Sequence, residues 1–219
     1  MGKLINPARQ AQAREAKVQR MAAIEAAALA EFQVAAYAEV TLDGIGLKAG
    51  VPAGTASLYF GSREALFVRV VAAQVKAWCA AVLGLLEREG RLDGSATAAL
   101  LARSFSPFPA LPRLLYLLPF ALEHARDDAG LTMMIAGVRK PLAELARRLE
   151  AQSPAAAARG GAALLGDVVS LAAAVHPRAT PRGGLALALT DPGLARFRVD
   201  FEVALERLLA QSLAPYDEG

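Results

Sequence analysis

Residues 40–60, VTLDGIGLKAGVPAGTASLYF, predict two short helices joined by a tight turn. Thr41 is suited to cap the first helix, because its hydroxyl can accept a hydrogen bond from a free backbone N–H of the first turn. Gly50 follows the last residue of that helix, where the left-handed backbone conformation is cheap only for glycine. A second helix is expected over about residues 53–60 and ends at Gly61. This order of elements is the helix-turn-helix, which lays its second helix in the major groove of DNA.

The composition favours a helical protein with a large core. The chain has 219 residues, enough for one large or two small domains. Hydrophobic residues make up 55% of it and aromatic residues only 6%, and alanine is abundant, a mixture that favours helices. Because no strand pattern interrupts the helical spacing, we predict an all-α fold of about nine helices. It comprises an N-terminal three-helix domain with the helix-turn-helix and a larger helical C-terminal domain.

Basic residues are concentrated at the N-terminus, although the net charge of the whole chain is only +3. The first 20 residues contain one acid, Glu15, and five bases: Lys3, Arg9, Arg14, Lys17 and Arg20. An excess of this kind suits a phosphate backbone, whose contacts supply affinity independent of base sequence. The alternative for residues 1–12 is a solvated, disordered tail.

Few features of the sequence indicate catalysis, a metal site or a membrane span. The single cysteine, Cys79, excludes an internal disulfide and a cysteine-rich metal site. The two histidines, His124 and His176, lie far apart and have no metal-ligand spacing. We therefore expect no enzyme activity, no metal and no cofactor. The charged N-terminus and the absence of a long apolar run predict a soluble cytoplasmic protein.

Apolar spacing predicts long helices on both sides of the turn. Helix 1 is expected from Arg9 or Arg14 to Ala35, and helix 4 follows Ser62 as its N-cap for about 25 residues. Ala36 follows helix 1, and a left-handed conformation there would cost alanine about 1 kcal/mol. The predicted buried stripe of helix 1 is Met21, Ile24, Ala28 and Phe32.

Proline and glycine divide the rest of the chain into further helices. Helix 8 is expected from the Ser153-Pro154 pair to about Val175, and residues 176–184 are expected to form a loop. Asp191-Pro192 is expected to open helix 9, which runs past Leu209. Three more helices are predicted between helix 4 and helix 8. They are helix 5 over about 95–105, a leucine-rich helix that contains Pro119, and a helix that begins at Asp127-Asp128 and bends at Pro141.

The wider window carries a specific motif. Its residues, without a gap, are Ile24-x-x-Ala27-Ala28-x-x-x-Phe32, Tyr37, Thr41-Leu42-x-x-Ile45-x-x-x-Ala49-Gly50-Val51, Gly54-Thr55 and Tyr59-Phe60-x-Ser62-Arg63-Glu64-Ala65-Leu66. From about Arg20 to Leu66 the chain thus resembles the N-terminal domain of the tetracycline-repressor (TetR) family. Residues 114–124 and 189–197 are similar to a C-terminal regulatory domain common in that family.

The resemblance implies a dimeric bacterial transcription regulator, usually a repressor released from a double-stranded DNA operator by a small molecule. The family's reading head is the part of the domain that contacts DNA, here helices 2 and 3. Because they are basic, Lys17, Arg20 and Lys48 are also predicted to contact phosphates. The residues expected at DNA are Lys17, Arg20, Thr41, Lys48, Ala53, Gly54, Thr55, Ser57, Leu58, Tyr59 and Arg63. Thr55 and Ser57 can hydrogen-bond bases or phosphates, and Leu58 can pack on a thymine methyl. Tyr59 is either a phosphate neighbour or a core residue.

The chain departs from the family pattern in its reading head. Ala53 replaces the usual lysine or arginine, Ser57 the usual tyrosine and Pro52 the usual serine cap. Gly44 and Gly46 lie inside helix 2, where each costs about 1 kcal/mol relative to alanine. The alternative function is therefore a helical ligand-binding protein whose DNA-binding head is weakened or lost.

The resemblance also implies a ligand cavity among helices 4 to 8 and a four-helix homodimer interface on helices 8 and 9. The small-residue face 161–174 is the expected contact of helix 8. With few charges in these helices, an apolar or aromatic effector is expected. The candidate lining residues are Trp78, Phe105, Phe108, Tyr116, Phe120, His124, Met133 and Met134. The predicted organisation is a basic arm over 1–16, a DNA-binding domain over 17–77 and a ligand-binding and dimerisation domain over 78–219.

Overall fold

The structure is a computed structural model that describes the backbone of residues 7–124 and 128–216. It describes the side chains of residues 8–119, 122–123 and 132–216. These residues form α-helices and short 3-10 helices without a strand, as the all-α prediction requires. The α-helices are α1 Pro7–Val34, α2 Leu42–Lys48, α3 Thr55–Phe60, α4 Arg63–Leu86, α5 Gly94–Arg103, α6 Leu111–His124, α7 Asp128–Gln152, α8 Pro154–Arg159, α9 Gly161–Ala179, α10 Gly183–Ala188 and α11 Phe201–Leu213. The 3-10 helices are Tyr37–Glu39, Pro192–Phe197 and Ala214–Tyr216.

The chain folds into two compact units. Of the described residues, the first comprises 7–70, 124 and 128–131, and the second 71–123 and 132–216. The division falls inside α4. The sequence predicts a domain boundary further along the same helix, near Trp78, and that boundary stays a prediction.

The core of the first unit is built on α1. Ile24, Ala28 and Phe32 recur every four residues, so they share one helix face, and all three are fully buried. Phe32 lies 5.3 Å from the ring of Phe67 and 6.3 Å from that of Tyr37, centroid to centroid. This cluster packs α1 against the start of α4.

Helix α1 begins earlier than expected, at Pro7, where the missing N–H of proline leaves no donor unsatisfied. Residues 8–15 and 17–20 are exposed, so the first part of the helix extends beyond the core. At its other end Ala36 has φ −69°, so the cost of a left-handed alanine does not arise.

The core of the second unit contains an aromatic cluster. Trp78 stacks on Phe105 with ring centroids 5.2 Å apart, and Phe201 meets the edge of Phe105 at 5.9 Å. The indole N–H of Trp78 donates a 2.8 Å hydrogen bond to Ser104 Oγ, so its polar group is satisfied in the interior. α11 packs on α5 and α9.

Three predictions for the C-terminal helices are wrong. The helix expected over 154–175 is broken at Gly160, whose φ of +85° cannot continue a right-handed helix. The loop expected over 176–184 is α-helical up to Ala179 and again from Gly183. The long helix expected after Asp191 is a 3-10 helix followed by α11, because Asp200 provides a second N-cap by accepting from the N–H of Val203 at 2.9 Å.

Candidate nucleic-acid interface

Helices α2 and α3 form the predicted helix-turn-helix. Thr41 Oγ1 accepts a 3.1 Å hydrogen bond from the N–H of Gly44, which confirms the predicted cap of α2. Gly50 has φ +67° and Gly54 φ +75°, so the turn uses the left-handed conformation at both glycines. α3 then starts at Thr55, later than expected, because left-handed Gly54 is its N-cap.

Only part of α3 faces solvent. Ser57 is exposed and Leu58 is 80% exposed, whereas Ala56 and Phe60 are buried. Ala53 and Gly54, which precede the helix, are exposed, and Thr55 is half-buried. The exposed face of α3 therefore consists of a hydroxyl and an aliphatic side chain, the groups that can read a base edge and a thymine methyl.

A second exposed leucine escaped the sequence prediction. Leu47 on α2 is 80% exposed. It follows buried Ile45 by two positions, which places it on the other side of a helix, and this offset is the signal that could have identified it. Because its side chain is exposed, we add Leu47 to the candidate DNA-binding surface.

Two basic residues of α1 meet Tyr59 of α3. Arg20 Nη1 donates a 3.2 Å hydrogen bond to the Tyr59 hydroxyl, and Lys17 Nζ lies 5.6 Å from the centroid of its ring. Tyr59 is half-buried, so its ring packs on the protein while its hydroxyl is held by Arg20. These three residues bring the positive charge of α1 next to the exposed face of α3.

The unpaired positive charge of residues 7–70 lies on α1. Lys48 pairs with Glu31, Arg63 with Glu64 and Arg69 with Glu25. The other bases in this range are Arg9, Arg14, Lys17 and Arg20, which exceed the one acid among them, Glu15, by three charges. The Lys48 side chain is 56% exposed but that of Glu31 only 21%, so Lys48 would have to leave a half-buried carboxylate in order to contact a phosphate.

Arg63 is engaged inside the protein. Its Nη1 donates to the carbonyls of Tyr37 and Val40 at 3.2 and 3.3 Å, and its Nε and Nη2 donate to Glu64 Oε1 at 3.1 and 3.0 Å. The guanidinium carbon lies 4.4 Å from the Tyr37 ring centroid. Burial, followed by the charge of Glu64, raises the pKa of the Tyr37 hydroxyl against the opposing effect of Arg63. Arg63 thus ties the segment before α2 to the start of α4.

The predicted effector-binding residues have different environments. Trp78 and Phe105 are 1% and 3% exposed and stack on each other, whereas Tyr116 and Met133 are 51% and 64% exposed. Phe108 and Met134 are half-buried. The side chains of Phe120 and His124 lie outside the described residues. The predicted roles of all eight at a ligand stay predictions.

Two further features of the described residues concern metal binding and membrane insertion. Among them, no group of His, Cys, Asp and Glu side chains is placed to hold a metal ion. α4 is long and apolar enough to cross a membrane by length and composition, but 56% of its most apolar window is buried inside the protein, as in a core helix.

Comparisons with protein families match both parts of the chain. A model described as bacterial regulatory proteins, tetR family, matches residues 24–70, which include α2 and α3. A model described as tetracyclin repressor-like, C-terminal domain, matches residues 72–214. No curated protein matches the chain.

Proposed function

Because the chain belongs to the TetR family of bacterial DNA-binding transcriptional regulators, we propose that it is a repressor that binds a pseudo-palindromic operator as a homodimer and leaves it on binding an apolar small molecule. The observation that carries the proposal is the exposed face of α3 beside the unpaired positive charge of α1. We further propose that the protein acts in the cytoplasm, where its operator is found.

Base recognition is assigned to α3. Ser57 can donate to or accept from a base edge, and Leu58 can pack on a thymine methyl, an interaction that needs the 80% exposure of this leucine. Since α3 lacks a basic residue, it provides none of the bidentate guanine contacts that arginine and lysine make. We infer that the operator is read through few hydrogen bonds and through thymine methyls.

Phosphate binding is assigned to α1. Arg9, Arg14, Lys17 and Arg20 are all exposed, and neutralisation of phosphates by such side chains releases condensed counterions. If all four contact phosphates in each protomer, the dimer makes eight contacts and log K falls with log salt concentration with a slope of about −7.2, that is about −0.9 for each phosphate. Operator affinity is therefore expected to depend more on salt than on any one base contact.

The proposed dimer interface uses α9 and α11. The exposed residues of α9 include Ala162, Ala163, Gly166, Ser170 and Ala174, whose small side chains allow two helices to approach closely. Large apolar side chains are also exposed further along the chain: Leu187 by 74%, Phe197 by 57% and Val203 by 66%. Exposure of this kind is typical of a surface that a partner covers.

The proposed effector site lies in the second unit, among the predicted residues of α4, α6 and α7. Tyr116, Met133 and Ile135 expose more than half of their surface and provide apolar contacts for a ligand. A ligand that binds better to the conformation with low DNA affinity would shift the population toward it. Equal operator affinity with and without a bound ligand would exclude this mechanism.

The test is operator selection from random DNA, followed by fluorescence anisotropy with the selected duplex at two salt concentrations. We expect replacement of Ser57 and Leu58 by alanine to lower specific affinity by about tenfold or more, since a mismatch at one base pair of a site typically costs about 1–3 kcal/mol. Val34→Ala, at an exposed aliphatic residue outside the reading head, is the control and should bind as wild type. Unchanged affinity of the double variant would contradict the assignment of α3.

A helical ligand-binding protein with a weakened head is the second candidate. It is favoured by Ala53, which is not basic, and by the two glycines inside α2, Gly44 and Gly46. The same selection separates the two functions, because a protein of this second kind would enrich no sequence while still binding a ligand.

A further inference from the structure

The second unit contains a pocket of about 270 Å³ at the end of α9. Its walls come from residues 178–181 and from the segment 186–199, which includes part of α10. Most of the lining is apolar, with Pro181, Leu189 and Val199 among it. Pockets for small molecules combine such a lining with a few placed polar groups.

The polar groups of this pocket are two guanidinium groups, those of Arg178 and Arg198. Arg198 is held in place, because its Nε and Nη2 donate to the carbonyl of Leu189 at 3.1 and 2.7 Å. Its remaining N–H groups are available to a ligand. The side chain of Arg178 makes no hydrogen bond or ion pair with any residue that the structure describes, and the residue is exposed.

Further positive charge lies around the end of α9. Arg113 and His176 are buried, 8% and 9% exposed. Burial, followed by the charge of Arg182, lowers the pKa of Arg113. Burial, Arg113 and Arg182 together lower the pKa of His176 to about 4, so this histidine is neutral at pH 7.

Two carboxylates in or next to the segment that lines the pocket, Asp191 and Asp200, are used as helix caps. Asp191 Oδ1 accepts from the N–H of Gly193 at 2.7 Å, and Asp200 Oδ1 accepts from that of Val203 at 2.9 Å. Cations at the end of α9 are also favoured by the helix dipole, which accounts for Arg178. It does not account for Arg198, which comes from a separate segment and lines the same pocket.

We propose that this pocket binds a small organic monocarboxylate, with its carboxylate between Arg178 and Arg198 and its apolar body against Leu189 and Val199. Arginine forks match a carboxylate through paired, charge-assisted hydrogen bonds. A phosphate group fits less well, because the apolar walls leave most of its oxygens without donors. The site is separate from the apolar effector site proposed on α4, α6 and α7, and its occupation does not depend on DNA binding.

The experiment is isothermal titration of the full-length protein with octanoate, with 1-octanol and with inorganic phosphate. Octanoate should bind, and 1-octanol should bind at least about tenfold more weakly, because it has the same chain length but no charge for the arginines. Equal affinity for the alcohol would overturn the proposal. Tighter binding of phosphate than of octanoate would also overturn it in favour of a phosphate site.

Variants locate the octanoate. Arg178→Gln should weaken octanoate binding by about tenfold or more, and Arg178→Lys should restore part of it, because lysine keeps the charge without the planar fork. Arg88→Gln removes an exposed arginine from the turn that follows α4 and should bind as wild type. If Arg178→Gln binds octanoate as tightly as wild type, the acid occupies another site and the proposal fails. Arg178 lies in the last turn of α9, where its charge also meets the helix dipole, so a circular dichroism melt checks that the variant is folded at the temperature of the titration.

Discussion

Arg63 joins two carbonyls, a carboxylate and an aromatic ring within the first unit. A phosphate contact, the role predicted from the sequence, requires the same N–H groups. The internal contacts favour a positioning role, in which Arg63 holds the entrance to α2 at a constant distance from α4.

We therefore expect Arg63→Ala to lower the free energy of unfolding by about 1.5–3 kcal/mol, the range for hydrogen bonds to charged groups. Arg63→Lys should lose much of the same stability, because an ammonium cannot reach both carbonyls and Glu64 in one plane. Urea unfolding of the two variants measures this. Wild-type stability of Arg63→Ala, with an operator salt slope smaller by about 1.8 (one phosphate for each protomer of the dimer), would indicate a phosphate contact instead.

His176 predicts a dependence of stability on pH. Its pKa is about 4 in the folded protein, below the value of about 6.5 expected in the unfolded chain. The unfolded state therefore binds the proton more readily, so the contribution of His176 to stability is full above pH 6.5 and is lost as the pH falls toward 4.

Urea midpoints at about pH 7 and about pH 5 test this dependence. The wild type should lose more stability between the two than His176→Gln, which cannot titrate. His124 is present in both proteins and cancels in the comparison. Equal losses in the two proteins would contradict the prediction.

At the scale of the element, α2 carries two glycines with different surroundings. A Cβ at Gly46 would meet Val51 and Ala56 at 3.6 and 3.7 Å, ordinary contact distances, whereas one at Gly44 would lie 3.0 Å from Thr41 Oγ1, the capping atom. We expect Gly46→Ala to stabilise the first unit by up to about 1 kcal/mol through helix propensity. Gly44→Ala should gain less, because the methyl group presses on the cap. Thermal unfolding of the pair measures the difference, and a larger gain at Gly44 would contradict it.

The first residue of α9, Gly161, lies close to the backbone of α7. A Cβ at Gly161 would lie 2.5 Å from the carbonyl oxygen of Ala146 on α7, and the Gly161 N–H donates to Glu150 at 2.6 Å. Gly161→Ala should therefore lower the free energy of unfolding by about 1–3 kcal/mol through overpacking. Gly84→Ala, in α4 with open space around the new methyl group, is the control and should not destabilise. Urea unfolding compares the two, and equal stability would show that α7 and α9 can move apart at no cost.

At the scale of the whole molecule, the proposed homodimer determines operator symmetry. A two-fold dimer binds two half-sites, so disruption of the dimer should weaken operator binding as well as association. We expect a dimer at micromolar concentration by sedimentation velocity. Ser170→Arg, on the exposed face of α9, should give a monomer because the arginine cannot fit between closely packed helices. Ala73→Arg, at an exposed residue of α4, should remain dimeric, and a wild-type monomer at this concentration would exclude the interface.

Local features of the chain were predictable from the sequence. The buried face of α1, the Thr41 cap, the left-handed Gly50 and the Ser62 cap all depend on residues within four or five positions of each other. The family match of residues 24–70 rests on the same local pattern. Spacing and capping are short-range properties, so a sequence displays them directly.

The tertiary structure alone decided which side chains meet across the chain. Arg63 reaches Tyr37, Arg198 is placed with Arg178 around one pocket, and Gly161 lies against Ala146. A guanidinium on a helix surface has the same local sequence whether it binds a phosphate or a carbonyl. Its partner is set by helix packing, which depends on contacts between residues far apart in the chain.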